Sequence, residues 1–550
     1  MANINGQNEF KRETMVHFHQ KENTQIGRIF NLKDPKVSII YVSAYQLQQE
    51  IISYYHKICE LAQIPDYINR LHFIYPENSQ CFPKIYNTNK LLYYSPMALK
   101  KIKKIISNKY SYIIPGNIQK QDILISIQLN VPVYAGDLDT SQKLNSKTHS
   151  RHFFKEIGLP IPAGIENIGS EDELFTKLTY LIIKYPQINT WIFKTDYEQK
   201  GRGTAYIELE HLRVIKDFKK QKISEENVLK LREIISTLLP QKIVICFPSL
   251  FANYQEFLEY FVYNKGLIEA FPQNNNENEV KGLSVSFKID PDGVIKPLCA
   301  FEKISLVPFV NFGAIFPQNV LPLLNLKALC EKIGVELKKR GVFGYINADL
   351  VAFQDPENSL GHKLFYLNGL DCFLNDFMSA FFMFQMVSGS KMDQVSGKYY
   401  LSDQNEQESN YLDEEEGDFL NIIKDFDERS FFFVPYICHE GFFQSNFKEF
   451  FIVCRKFNIS YDIEKKQGTL FLLLDQLKEG VLGVLGIGEK IQECMQFIYD
   501  VFIKIQQMFE NEEFQRKKKN QKESIVRNDE VSFQILLKKI KSLYQEYRGR

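Results

Sequence analysis

TWIFKTDYEQKGRGTAYIEL, residues 190–209, sets two β-rich runs on either side of a glycine-bearing turn. Trp191, Ile192 and Phe193 form a β-branched and aromatic strand that delivers Lys194 at its end. The loop KGRGTA follows, and YIEL leads away as a second strand. Gly201 and Gly203 let the backbone approach an anion closely, and successive N–H groups in such a loop form an anion-binding nest. Lys194 can place its ammonium on the same phosphates. An ordinary hairpin turn can also read GRG, so the neighbouring segments must choose between the two.

Upstream, SKTHSRHFFKEIGLPIPAG (146–164) is a basic helix opened by serine, ended at Gly158 and followed by a proline-punctuated strand start. Downstream come VSFKIDPDGVIKPLCAFEK (285–303), GVFGYINADLVAF (341–353) and KLFYLNGLDCFLND (363–376). Taken in this order, the segments resemble the ATP-grasp superfamily over roughly residues 37–387. That family opens a helix with Lys, turns through G-[ILV]-P-x-P, and sets a strand Lys and a glycine-rich loop over the phosphates. It closes with a G-x-x-x-x-D strand and a strand whose carboxylate and amide hold magnesium.

The resemblance implies that Lys147 at the helix start and Lys194 at the strand end meet the phosphates of ATP. Gly201, Arg202, Gly203 and Thr204 would then be the phosphate lid. It also implies Asp349 as the first carboxylate for Mg²⁺, a hard cation held by one or two carboxylates plus substrate phosphates. The second metal strand departs from the family, which expects Glu-x-Asn or Asp-x-Asp where Asn368, Gly369, Leu370 and Asp371 stand. If Asp371 takes the second position, Gly369 takes the first. One carboxylate is lost, and metal-assisted phosphoryl transfer is weakened. KIVICFPSLF (242–251), read as the adenine-hinge strand, lacks the usual acid and has Cys246 or Phe247 instead. Plainer readings stand beside these: Asp349 as a strand-end carboxylate, Arg202 as a surface residue, Asp371 and Asp376 as helix caps. Asp290 and Asp292 in DPDG read as a hairpin turn.

Other nucleotide and catalytic motifs are missing or broken. GVLGIGEK (483–490) has the outer glycine spacing of a P-loop, but Glu489 stands in the place of the lysine, so the segment reads as a turn. There is no GxSxG elbow and no HExxH helix, and His17 and His19 sit on a polar tail.

The expected fold class is α/β and α+β multidomain. Residues 1–35 read as a polar tail. A Rossmann-like pre-ATP-grasp domain follows at 36–145, from alternating strands and helices. Its KKIKK run (100–104) reads as a solvated helix face. The ATP-grasp domain is placed at 146–387, with helices at 147–157, 170–184 and 225–239, and an acidic linker or insertion at 388–428. A small C-terminal α/β domain spans 429–510 and ends in a long helix. A charged tail at 511–550 carries RKKKNQK (516–522) and a basic amphipathic helix. Within 429–475, His439-Glu440-Gly441, Cys454-Arg455 and Gly468-Thr469-Leu470-Phe471 resemble the segment after the grasp domain in pheganomycin-type peptide ligases and in IQ-motif ATP-grasp proteins of cilia.

Composition narrows the function. The 550 residues carry 67 basic and 67 acidic side chains, a balance that argues against a dedicated nucleic-acid binder. No apolar run reaches the roughly 18 residues that span a bilayer, so no membrane insertion is expected. The nine cysteines form no CxxC pair, and the N-terminus has no apolar signal core, which points to reduced thiols in the cytoplasm. The resemblance implies ATP and Mg²⁺ as cofactors, carboxylate–amine (peptide) ligase chemistry, and a cilium or flagellar axoneme with axonemal or microtubule-associated partners. A catalytically degenerate scaffold is the alternative. The stripe Phe533, Leu536, Leu537, Ile540 and Leu543 beside Lys538, Lys539, Lys541 and Arg548 suggests calmodulin binding by 533–550, or a helix docked on its own domain.

Overall fold

A computed structural model describes residues 24–83, 86–196, 201–212, 214–215, 218, 224–248, 250–272, 280–354, 363–393, 396–401, 427–439, 441–442, 445–473, 481–510 and 533–548. The chain is mixed α/β and divides into two compact units. One holds Met1–Tyr134, Gly313–Gln318 and Leu374–Arg550, and the other holds Ala135–Phe312 and Asn319–Phe373. His17, His19, residues 402–426 of the acidic segment and the 516–522 run lie outside the described residues.

In the first unit, Thr24–Lys33 is a 3₁₀ helix, not part of a tail. Its composition is polar, but Ile26, Ile29, Phe30 and Leu32 are all buried, and Gly27 lies so close to Ser379 that a Cβ would stand 2.5 Å from the Ser379 carbonyl oxygen. Strands β1 (Ile39–Val42) and β2 (Leu71–Ile74) are parallel and joined through helix α1 (Gln49–Leu61). Of the alternating strands expected in this region, the segments 110–116 and 131–137 contribute one parallel bridge, Ile113 to Val133. Helices α2 (Pro96–Ile106) and α3 (Lys120–Leu129) supply Leu99, Ile102, Ile125 and Leu129 to this core. Lys100, Lys101, Lys103 and Lys104 are exposed around buried Ile102, as a solvated face requires.

The second unit has two cores. Serines 146, 170 and 224 cap α4 (Lys147–Glu156), α5 (Glu171–Lys184) and α6 (Glu225–Lys242), each accepting from the backbone N–H three residues on. Five antiparallel strands run in the order β3 (Gly164–Ile168), β7 (Gly266–Ala270), β4 (Thr190–Lys194), β5 (Thr204–Glu208), β6 (Val244–Ile245). Trp191, Phe193, Leu178 and Leu231 pack between this sheet and its helices, with Phe257 and Phe261 from α7 (Tyr254–Tyr263). A second antiparallel sheet orders β12 (Lys363–Asp371), β11 (Gly344–Gln354), β8 (Lys281–Ile289) and β9 (Ile295–Val307). Helix α8 (Leu323–Lys339) and α4 bury Ile333, Leu337, Phe153 and Phe154 on it. The β8–β9 connection is the expected DPDG hairpin: Asp290 accepts Lys288 and Lys296, and Gly293 takes φ +87°.

Strand β10 (Val310–Phe316) carries the chain from the second unit into the first, where Ala314 pairs with Phe433. There β15 (Ser430–Cys438), β18 (Val481–Gly488), β17 (Gln467–Leu472) and β16 (Tyr461–Asp462) continue antiparallel. The 483–490 segment, expected as a turn, is therefore mostly strand. Its glycines thin the strand so that α11 (Ile491–Glu510) packs close, a Cβ at Gly486 standing 2.6 Å from the Cys494 carbonyl oxygen. Helix α9 (Asp376–Ser388) is capped by Asn375 rather than by an aspartate, and Asp376 accepts the Tyr436 hydroxyl at 2.7 Å. Phe316, Phe381, Phe384, Tyr399 and Phe431 form a ring cluster in this core. Tyr54 and Tyr55 of α1 serve the backbone of β17 and Leu473: the Phe471 N–H donates to Tyr54, and the Leu473 N–H donates to the Tyr55 hydroxyl, which donates back to the Leu473 carbonyl.

Helix α12 (Phe533–Arg548) buries its whole apolar stripe. Phe533 stacks on Phe502 and Tyr544 on Tyr499 of α11, so the stripe docks on its own unit. Among the described residues no helix is long and apolar enough to cross a membrane.

Candidate nucleotide site

The second unit gathers its charged side chains where α4 meets the end of β4. Lys194 reaches Glu269 of the neighbouring strand β7 at 2.7 Å, and both are largely shielded, with side chains 12% and 4% exposed. The other oxygen of Glu269 takes Arg151 at 3.0 Å, while Arg151 also pairs with Glu166 and donates to the Pro162 carbonyl. Burial alone would raise the Glu269 carboxyl, but Lys194 and Arg151 together hold it below the ordinary value. Lys147 and Arg151 lie one helical turn apart on α4 and so share a face.

Asp196 fastens this helix to the strand. Its carbonyl accepts from the Lys147 N–H at 2.9 Å, and its carboxylate accepts from the Thr148 N–H at 2.7 Å. A carboxylate at a helix N-terminus satisfies free donors and complements the dipole. The two lysines assigned to the phosphates are thereby held on adjoining backbone segments, Lys194 standing two residues before Asp196.

Asp349 sits on β11 opposite Ser284 of β8 on one side and Gly369 of β12 on the other. Lys303 of β9 binds its Oδ2 at 2.6 Å. Burial would raise the Asp349 carboxyl, and the ammonium groups of Lys303 and Lys147, with the Ser284 hydroxyl, bring it below its usual range. The Lys147 Nζ lies 3.1 Å from where a Cβ on Gly369 would stand. The register of β12 slips at this point, leaving Asn368 as the extra residue of a bulge, a device that re-aims side chains. Asp371 falls opposite Asn347, two residues from Asp349 on the same strand face. Asn347 is fixed by the Ser286 hydroxyl at 2.6 Å and donates to the Phe373 carbonyl at 2.8 Å.

This donor set does not suit a magnesium ion. Asp349 offers a carboxylate already paired with an ammonium, the residue facing it is glycine, and no group of three metal-ligating side chains forms among the described residues. An ion on Oδ2 at about 2.1 Å would lie within about 4.7 Å of the Lys303 nitrogen. At an effective dielectric of about 20 that repulsion is about 7 kcal/mol, which weakens the hold of this oxygen on a divalent cation while Lys303 stays.

The glycine loop is anchored at its end. Thr195 N–H donates to the Gly203 carbonyl, Thr204 pairs with Lys194, and Gly201 takes φ +81°. A Cβ at Gly201 would meet the Phe309 carbonyl at 2.5 Å, and Phe309 itself packs on Tyr206 and Phe271. Gly201, Gly203 and Thr204 are buried and Arg202 is half-buried. Lys200 lies outside the described residues.

Among the described residues of the segment 242–251, Val244–Ile245 alone is strand. Glu269 of β7 faces Lys194, and sequence reading missed this acid because the two residues are 75 apart. Arg151, Asp196 and Lys303 escaped notice for the same reason.

The second unit sets two lysines and a glycine loop at the ends of antiparallel strands, and comparison with known proteins bears on its class. Residues 139–395 match the family described as IQCH-like, ATP-grasp. The ATP-grasp resemblance carried by the motifs therefore holds for the central segment. Over 515 residues the chain is 25% identical to IQ motif-containing protein H of Danio rerio, covering 89% of this chain and 46% of that protein, so it spans about half of that relative's length. Among solved structures, the biotin carboxylase domain of Hydrogenobacter thermophilus 2-oxoglutarate carboxylase, determined with MgADP, superposes with a TM-score of 0.46 at 10% identity, covering 87% of each chain. Biotin carboxylase of Campylobacter jejuni gives 0.45 at 12% identity, with 90% and 94% covered. The N5-carboxyaminoimidazole ribonucleotide synthetase PurK gives 0.43 at 12%, with 88% and 95% covered.

Proposed function

We propose that this chain is an ATP-binding protein of ATP-grasp type, in which Lys147, Lys194 and the Gly201, Arg202, Gly203 and Thr204 loop hold the nucleotide phosphates. The observation that supports the reading is the junction at Asp196, which clamps the start of α4 to the end of β4 and so holds the backbones of Lys147 and Lys194 on adjoining segments. In this reading residues 36–145, 146–387 and 429–510 act as pre-grasp, grasp and C-terminal domains. The test is calorimetry of ATP binding to the full chain and to Lys194→Ala; loss of binding in the variant supports the site, and equal binding removes it.

Within that reading the arrangement at Asp349 favours a catalytically degenerate domain with a regulatory or structural role. The likeness to IQ motif-containing protein H supports a cytoplasmic place in the cilium or flagellum, with axonemal partners. Imaging of the tagged chain in ciliated cells tests the setting. Carboxylate–amine ligase chemistry is the second reading, favoured by the paired cations Lys194 and Arg151 beside the loop. It would transfer the terminal phosphoryl of ATP to a carboxylate, and an amine would then displace phosphate from the acyl-phosphate. Phosphate release across a panel of amino acids and peptides tests it. Calmodulin binding by 533–550 would require α12 to leave α11, since its apolar face is buried.

A further inference from the structure

The sharpest departure of this site lies around Asp349. Three observations meet there. Lys303 is bound to the Asp349 carboxylate at 2.6 Å, with its own side chain 13% exposed. The Lys147 ammonium lies on the glycine side of the same carboxylate, in space that a side chain at residue 369 would claim. The strand opposite presents Gly369, and no three acids, histidines or cysteines among the described residues are grouped so as to hold a metal ion. At the Asp349 carboxylate itself two ammonium groups face one acid, with Asp371 two residues along the same strand face, so the immediate surroundings of Oδ2 favour a polyphosphate oxygen over a divalent cation.

From this geometry we propose that the chain binds ATP as the metal-free nucleotide, with Lys303 and Lys147 supplying the counter-charge that a divalent cation would otherwise bring. The inference rests on the ATP-binding reading above. Lys303 is its new element: it is held in place by Asp349 in the free protein and turns toward the phosphates when they arrive. Asp349 is then a positioning residue for lysines, with Ser284, Asn347 and Asp371 as its polar neighbours on the sheet.

Calorimetry of ATP binding to the full chain in excess EDTA, and again in excess MgCl₂, tests the proposal. The expected result is binding in EDTA at least as tight as in MgCl₂. A loss of about tenfold or more on removing Mg²⁺ overturns the inference and leaves the ATP-binding reading standing. No binding under either condition overturns both. Lys303→Met, whose fold is checked by circular dichroism and thermal melting, should lose about tenfold in EDTA and gain a dependence on Mg²⁺, while Lys303→Arg should keep the metal-free binding. Unchanged affinity in Lys303→Met would remove Lys303 from the site.

Discussion

Replacing Glu269 with Gln isolates the charge that holds the buried cluster together. The carboxylate is almost fully buried and takes Lys194 at 2.7 Å and Arg151 at 3.0 Å, so the amide leaves two shielded cations without their shared anion. Removing one partner of a buried pair costs about 3–5 kcal/mol, and the lower end applies because the amide oxygen still accepts one hydrogen bond. For a domain of about 150–250 residues each kcal/mol moves Tm by about 2–4 °C, so a loss of about 6–12 °C is expected by calorimetric or fluorescence melting at pH 7. The sign with pH follows from Glu269 being held below its ordinary value in the folded chain. Its stabilisation is complete above the unfolded pKa of about 4.3 and is lost as pH falls through the lower folded value. The gap between wild type and variant should thus be constant at neutral pH and close in acid. Adding Lys194→Met to the variant should cost little more, since the partner is already gone. A Tm within about 2 °C of wild type at pH 7 would refute the reasoning.

Gly369→Glu places a carboxylate opposite Asp349 and beside Lys147, and should create a Mg²⁺-dependent component in ATP binding that calorimetry detects. Gly201→Ala combines a left-handed φ with a contact on the Phe309 carbonyl, and should lower the melting temperature of its unit through about 1–3 kcal/mol of strain. Tyr55→Phe removes the hydroxyl that serves both backbone groups of Leu473, and should cost about 1–3 kcal/mol in urea denaturation. Ile540→Ala opens the fully buried seam of α12, and should cost about 2–5 kcal/mol with increased binding of a hydrophobic dye.

What the sequence made legible depended on distance along the chain. The helices at 147–156, 171–184 and 225–242 announce themselves through Ser146, Ser170 and Ser224, because an N-cap and its first turn are local. The Lys194 strand was readable from its own β-branched and aromatic residues. The partners of these elements were not: Glu269, Lys303 and Asp196 acquire meaning only when sheet pairing and the α4 start bring them to their lysines. Gly483 and Gly486 misled for a physical reason, since glycine marks turns in isolation but here lets neighbouring strands close on residue 483 and a helix approach residue 486. Thr24–Lys33 hid because four apolar side chains among polar neighbours carry no clear period.

The path of β10 has a practical consequence for handling this protein. Gly313–Gln318 belong to one unit yet are flanked on both sides by sequence of the other, so neither unit can be excised as an uninterrupted stretch. A fragment cut to residues 139–395 would keep Ala314, Ile315 and Phe316 but discard Phe431, Phe432 and Phe433, their partners across the ladder. It would expose an apolar strand edge, the kind of surface that recruits other chains into aggregates. Recombinant work on the grasp segment should therefore retain β15 to β18, and poor solubility of the shorter fragment would report the cut strand, not a defect of the nucleotide site.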